Sequence, residues 1–117
     1  MKILIADDES GIVDLIGQAL VRRGHEVQTA YDGAKALELV KTQAYDLAFL
    51  DMTMPEVTGM EIVDYIKQNG IQTKTVIITG YVFVEGDFAK ASGADDYLSK
   101  PFGFEEIEAI VKKYKRA

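Results

Sequence analysis

Residues 47–59 read LAFLDMTMPEVTG, and this segment is the strongest indication of the fold class. The apolar run before Asp51 is short and has no polar alternation, which is typical of a strand buried on both faces of a parallel sheet. After a turn at Pro55, the spacing of Thr58 and Glu61 is that of a capping box and predicts the start of a helix. A buried strand that leads into a helix is the repeating unit of α/β proteins.

The same alternation of short apolar runs and helical stretches extends over the whole chain. Strands are predicted at Lys2–Ala6, Glu26–Ala30, 46–50, 74–78 and Asp96–Ser99. Helices are predicted at 11–23, at Gly33–Thr42, from Thr58 to the Asn69-Gly70 pair, at 85–92 and at Phe104–Tyr114. Strands that alternate with helices pair in parallel through right-handed crossovers. The sequence therefore predicts an α/β fold, a doubly wound five-stranded parallel sheet of flavodoxin-like order 2-1-3-4-5.

Five apolar residues recur at helical spacing in the first predicted helix: Ile12, Leu15, Ile16, Ala19 and Leu20. This periodicity predicts one buried face. Ile12 and Leu15 also suit contacts with a partner protein, and both interpretations stay open at this point.

Length and composition narrow the class of protein. The 117 residues suit a single domain, 1–117, and an apolar fraction of 48% is sufficient for a core without covalent cross-links. The absence of cysteine excludes a disulfide scaffold, a thiolate metal site and a cysteine nucleophile, and one histidine excludes a multi-histidine metal site. A net charge of −6 disfavours direct binding of nucleic acid.

No segment has the pattern of a membrane anchor or an export signal. The longest mostly apolar stretch, 76–84, is interrupted by Thr79 and Gly80 and is far shorter than the roughly 20 residues of a spanning helix. Acidic residues from Asp7 onward come too early for a signal peptide. We therefore expect a cytoplasmic protein without a membrane partner.

Polar side chains that can act on a phosphate or a metal follow four of the five predicted strands. They are Asp7, Asp8 and Glu9 after the first, Asp51 after the third, Thr79 after the fourth and Lys100 after the fifth. Ligands of open α/β sheets bind at the carboxyl ends of the strands. These residues are therefore expected along one edge of one sheet.

Three of these residues form a candidate metal site. The first and third strands are neighbours in the predicted order, so Asp7, Asp8 and Asp51 are expected to converge. Close carboxylates raise one another's pKa, and a hard divalent cation removes that cost. Oxygen ligands suit Mg²⁺, with the backbone carbonyl of Thr53 as a further candidate. We expect Mg²⁺ as the cofactor, with Mn²⁺ as a substitute.

Each residue also has a plain structural interpretation. An aspartate after a strand often caps a helix or forms a turn, and Thr79 suits the same role. Lys100 is explained equally well as an exposed loop lysine, and Tyr97 as a core residue. Only their coincidence at one sheet edge favours a shared function.

The residues at these positions also carry a family resemblance. Over essentially its whole length the sequence resembles the receiver domain of two-component response regulators. The matching segments are ILIADDE (3–9), LAFLDMTMPEVTG (47–59), VIITGY (76–81) and GADDYLSKPF (93–102). Any one segment is unspecific, but four of them in this order and near this spacing are specific to the family.

The resemblance implies a phosphorylation site. Asp51 would accept a phosphoryl group from the phosphohistidine of a sensor histidine kinase or a phosphotransfer protein. Mg²⁺ would be held by Asp8, Asp51 and the Thr53 carbonyl, with Asp7 acting through water. Lys100 would contact a phosphoryl oxygen, aimed by a cis peptide bond to Pro101.

The resemblance also implies a switch. Thr79 would donate its hydroxyl to the phosphoryl group, opening space into which Tyr97 moves. The surface of the fourth helix, fifth strand and fifth helix would then change and control a downstream protein or a C-terminal effector domain. The chain would not be a metabolic enzyme; it would catalyse its own phosphotransfer and a slow autodephosphorylation, with bulky Tyr81 shielding the phosphoryl group. The span from Thr79 to Lys100 is 21 residues, one fewer than the family pattern, and the difference falls near 85–92.

Three other classes of protein share part of this pattern. A haloacid-dehalogenase-type phosphatase needs a second aspartate where Thr53 stands. A flavodoxin needs a hydroxyl- and glycine-rich phosphate loop after the first strand, where this chain has Asp-Asp-Glu. A receiver fold that never takes phosphate usually lacks one of the acidic, threonine or lysine residues, and all are present here.

Overall fold

The computed structural model describes residues 1–80 and 93–115, and this part of the chain has five strands and four helices. The strands are Lys2–Ala6 (β1), Glu26–Ala30 (β2), Leu47–Asp51 (β3), Lys74–Thr79 (β4) and Asp96–Ser99 (β5). The helices are Ser10–Arg22 (α1), Gly33–Thr42 (α2), Gly59–Gln68 (α3) and Phe104–Tyr114 (α4). The helix predicted at 85–92 and the shielding role of Tyr81 fall outside the described residues.

All five strands form one parallel sheet in the order β2-β1-β3-β4-β5. The predicted fold class and strand order are thereby confirmed. Two strands extend one residue further than predicted, because Asp51 pairs with Ile78 and Thr79 pairs with Ser99. Both polar residues are therefore the last members of buried strands and not the first residues of the loops.

The core lies in two layers, one on each face of the sheet. Every residue of β3 is buried, since this central strand is covered on both faces. Leu47 and Phe49 pack in the cluster formed with α1 and α4, whereas Ala48 and Leu50 pack in the cluster formed with α2 and α3. This alternation fixes which side of the sheet each strand-end residue faces.

The buried face of α1 differs from the predicted one. Leu15 is 70% exposed, and the buried residues of this helix are Val13, Ile16, Gly17 and Leu20. A Cβ at Gly17 would lie 3.5 Å from the Thr29 side chain on β2, so the small residue marks the point of contact with the sheet. A pattern of apolar residues does not count glycine, so it misses the buried Gly17. This is why the periodicity places Leu15 on the buried face instead. Its exposure leaves the partner-contact interpretation open.

No helix within residues 1–80 and 93–115 has the length and apolar character that crossing a membrane requires.

Candidate functional site

The ends of β1 and β3 bring three carboxylates together. Ala6 pairs with Leu50, so the residues that follow each of them emerge side by side at the sheet edge. Carboxylate oxygens of Asp7, Asp8 and Asp51 all lie within 4.8 Å of one another. Asp7 and Asp51 are 1% and 2% exposed, whereas Asp8 is exposed. The structure therefore forms the acidic cluster that the strand order predicts.

Burial in this cluster raises the pKa of Asp51 to about 7. The largest cause is desolvation, and a hydrogen bond and the charge of Asp7 act in the same direction. The Thr53 N–H, which donates to Asp51 Oδ1 at 3.2 Å, and the charge of Lys100 lower the pKa but only in part. A buried carboxylate of this kind gains strongly from any further positive charge.

Lys100 reaches the cluster from the end of β5. Its Nζ lies 2.7 Å from Glu9 Oε1, 3.1 Å from Asp7 Oδ2 and 3.4 Å from Asp51 Oδ2. Burial lowers the pKa of Lys100, but hydrogen bonds to Glu9 and Asp7 and the neighbouring negative charges outweigh it and raise the pKa above its usual value. The side chain is therefore a permanent cation within the cluster. The Lys100–Pro101 peptide bond is cis, as the resemblance implies.

The cluster fits a hard divalent cation. Oδ2 of Asp7 is buried and lies 3.1 Å from the Lys100 ammonium. Three carboxylates, two of them buried, supply only oxygen ligands, which is the donor set of Mg²⁺ sites. Thr53 is exposed, and its bond to Asp51 places it beside the cluster.

Thr79 and Tyr97 lie on adjacent strands and on the same face of the sheet. Ile77 pairs with Tyr97 and Thr79 pairs with Ser99, so the two residues are separated by one pleat. Thr79 is buried, and its carbonyl oxygen accepts the Lys100 N–H at 2.7 Å. Tyr97 is half-buried against the cluster formed with α2 and α3.

Two glycines allow the loop between β3 and α3 to pack closely against its neighbours, and the sequence analysis assigns no role to either. A Cβ at Gly59 would overlap the backbone carbonyl of Asp51, and a Cβ at Gly33 would overlap that of Val57. The loop also contains Glu56, whose φ of 68° is uncommon for a residue with a side chain. Thr58 caps α3 by accepting the Glu61 N–H at 3.3 Å, as its spacing predicts.

Glu9 is among the polar residues that the sequence places at this edge of the sheet, but the sequence assigns it no partner. It follows Asp7 and Asp8 directly, yet its contact with Lys100 joins residues 91 positions apart. Its place after β1 was the available signal that it would lie at this edge of the sheet.

Comparison with known proteins identifies the family to which the chain is similar. Residues 3–112 match the family model described as response regulator receiver domain. The chain is 37% identical over 119 residues to the alkaline phosphatase synthesis transcriptional regulatory protein PhoP of Bacillus subtilis (strain 168), covering 98% of this chain and 48% of that protein. The chain thus spans about half the length of the curated relatives it matches.

Two solved structures are similar over almost the whole chain. The receiver domain of the Francisella response regulator 1452 has a TM-score of 0.90 at 31% identity, covering 97% of this chain and 94% of that one. The response regulator TrrA of Thermotoga maritima, in complex with Mg²⁺-BeF, has a TM-score of 0.85 at 34% identity, covering 97% and 98%. With the family match over residues 3–112, these findings show that the chain belongs to the receiver domains of two-component response regulators.

Proposed function

We propose that this chain is a phosphorylation-activated signalling switch with Asp51 as its phosphoacceptor. The observation that carries the proposal is the Asp51 carboxylate itself, buried at the end of the central strand between Asp7 and Lys100. The proposed donor is the phosphohistidine of a sensor histidine kinase or a phosphotransfer protein. Membership of the receiver-domain family supports this donor class.

In the proposed reaction a carboxylate oxygen of Asp51 attacks the phosphorus atom of phosphohistidine. An O–P bond forms, the N–P bond breaks, and its electron pair stays on the imidazole nitrogen of the donor. Catalysis of phosphoryl transfer consists mainly of positioning and charge neutralisation. Burial holds the Asp51 carboxylate in one place, and the Lys100 ammonium supplies a compact positive charge 3.4 Å away.

Asp8, Asp51 and the Thr53 carbonyl are the proposed ligands of Mg²⁺, with Asp7 acting through water and with Mn²⁺ as a substitute. When bound, the cation supplies charge neutralisation for the phosphoryl oxygens. The donor set supports this assignment, and so does the Mg²⁺-BeF complex of the similar protein TrrA.

Thr79 and Tyr97 are the proposed switch pair. The Thr79 hydroxyl would turn toward the phosphoryl group, and Tyr97 would move into the space that this opens. Their positions on the same face of adjacent strands support such coupling.

The proposed output surface includes β5, on which Tyr97 lies, and α4, which covers the other face of the sheet. It also includes the helix predicted at 85–92, which falls outside the described residues. The relatives are transcriptional regulatory proteins about twice as long as this chain. We propose that the switch controls a downstream protein or an effector domain in the cytoplasm. Nucleic acid would then be contacted by that partner and not by this acidic domain.

The first test is the intact mass of the protein after incubation with acetyl phosphate, with and without Mg²⁺, beside Asp51→Asn. One added phosphoryl group that requires both Mg²⁺ and Asp51 is the expected result. Slow loss of that group over time would support the proposed autodephosphorylation. A chain that binds no Mg²⁺ and takes no phosphoryl group would instead be a phosphate-independent interaction module.

A further inference from the structure

Glu9 holds the shortest contact that the Lys100 ammonium makes. The Nζ atom lies 2.7 Å from Glu9 Oε1 but 3.4 Å from Asp51 Oδ2. The first distance is that of a strong charge-assisted hydrogen bond, and the second is near the limit of a weak one. The cation on which the proposed reaction depends is therefore bound most closely by a carboxylate outside the candidate ligand set.

The backbone of Glu9 is held firmly at the start of α1. Its N–H donates to Asp7 Oδ1 at 3.0 Å, and its carbonyl accepts the N–H groups of Ile12 and Val13. Its side chain makes no capping bond to the helix and is 53% exposed. The carboxylate is therefore available for the ion pair with Lys100. Water screens this ion pair enough for it to break and re-form.

We propose that Glu9 is a positioning residue that restrains Lys100 on the outer side of the acidic cluster and thereby slows phosphorylation of Asp51. This inference rests on the proposed function. The ammonium must approach the transferring phosphoryl group, and to do so it has to give up its contact with Glu9. Once a phosphoryl group is present, its oxygens compete with Glu9 for the same cation.

Three variants distinguish the effect of the Glu9–Lys100 contact from the effect of the negative charge of Glu9. Glu9→Gln keeps the shape and removes the charge. Glu9→Asp keeps the charge but is one methylene, about 1.5 Å, shorter. From the same backbone position its carboxylate is drawn back from the 2.7 Å contact with Lys100. Glu56→Gln is the matched control, since it removes one exposed negative charge from the neighbouring β3–α3 loop without a contact to Lys100.

The rate constant of phosphorylation by acetyl phosphate with Mg²⁺ is the first readout. Both Glu9 variants are expected to react about two- to fivefold faster than wild type, the range expected for one partly exposed ion pair. Glu56→Gln is expected to react at the wild-type rate. Acceleration in Glu9→Gln but not in Glu9→Asp would mean that only the negative charge near the donor matters, which would overturn the restraint.

The second readout is the ¹⁵N ammonium resonance of Lys100 in metal-free buffer, assigned by its loss in Lys100→Arg. Its shift and its proton exchange with water are expected to change in both Glu9 variants and not in Glu56→Gln. An unchanged resonance in both Glu9 variants contradicts the contact. If wild type takes no phosphoryl group at all, the proposed function fails as well; if only the Glu9 variants fail to differ, the inference alone fails.

Discussion

Gly59, the first residue of α3, lies so close to the backbone carbonyl of Asp51 that no side chain fits between them. The start of this helix therefore rests directly on the end of β3. Because Asp51 is the last residue of that strand, a displacement of Gly59 also displaces the backbone that carries the candidate phosphoacceptor.

Gly59→Ala is expected to destabilise the protein. The added methyl group meets backbone that cannot move aside cheaply, and overpacking of this kind costs about 1–3 kcal/mol. Urea unfolding at pH 7.5 measures the loss. Gly11→Ala is the control, because a Cβ at that position in α1 meets nothing within 4 Å. Equal stability of the two variants would show that the contact between Gly59 and Asp51 is not tight.

Asp51→Asn is expected to stabilise the metal-free protein at neutral pH. The pKa of Asp51 is about 7 in the folded state against an ordinary value of 3.8, so the folded state holds a proton that the unfolded state releases. Stability from this site is full below about pH 4 and is lost as the pH rises through 7.

The variant should therefore exceed wild type by about 1–3 kcal/mol at pH 7.5 in EDTA, with the difference vanishing near pH 4. Denaturant unfolding across this pH range measures it. Asp64→Asn, on the exposed face of α3, is the control for loss of a negative charge. A difference that does not depend on pH would contradict the assignment to Asp51.

Mg²⁺ affinity is expected to rise with pH through the same range. Ligand carboxylates must be ionised, so a group with a pKa of about 7 makes the dissociation constant fall about tenfold from pH 6 to pH 8. Because the chain has no tryptophan, isothermal calorimetry is the suitable measurement.

Asp8→Asn should weaken Mg²⁺ binding about tenfold or more, because it removes an accessible ligand of the cluster. Asp64→Asn again serves as the control. Unchanged affinity in Asp8→Asn would remove this residue from the ligand set.

Thr79→Ala is expected to uncouple Tyr97 from the phosphorylation site. In wild type, Mg²⁺ with beryllofluoride, which mimics a phosphoryl group, should shift the amide resonances of Tyr97 and its neighbours. The shifts should shrink in Thr79→Ala and return in Thr79→Ser, which restores the hydroxyl. Shifts of full size in the alanine variant would show that another group transmits the change.

Local sequence patterns were sufficient for the strand order and for the sheet edge that carries the site. Alternation of strands and helices predicts a doubly wound parallel sheet, and in its flavodoxin-like order the ends of the first and third strands are neighbours, which predicts the meeting of Asp7 with Asp51. The same patterns placed Leu15 in the core incorrectly, because the contact of α1 with β2 is made at Gly17. A periodic pattern of apolar residues cannot reveal a glycine whose lack of a side chain allows a helix to contact the sheet.

Contacts between distant side chains were beyond sequence reasoning. The bond between Glu9 and Lys100 depends on the reach of two flexible side chains that follow different strands, and no local pattern encodes it. The close approach of Gly33 to Val57 likewise depends on how α2 and the loop after β3 pack in three dimensions.

The 2.7 Å hydrogen bond from the Lys100 N–H to the Thr79 carbonyl makes two proposed phosphate-sensing groups one mechanical unit. A displacement of one strand end is transmitted to the other through this single backbone hydrogen bond, without the aid of a side chain. The effects of Thr79→Ala and Lys100→Ala on phosphorylation rate should therefore be non-additive in a double-mutant cycle. Evolutionary change at Thr79 or Lys100 would then be constrained by the other residue. A substitution at one strand end that alters the lifetime of the phosphoryl group would also alter how strongly the other strand end responds to it.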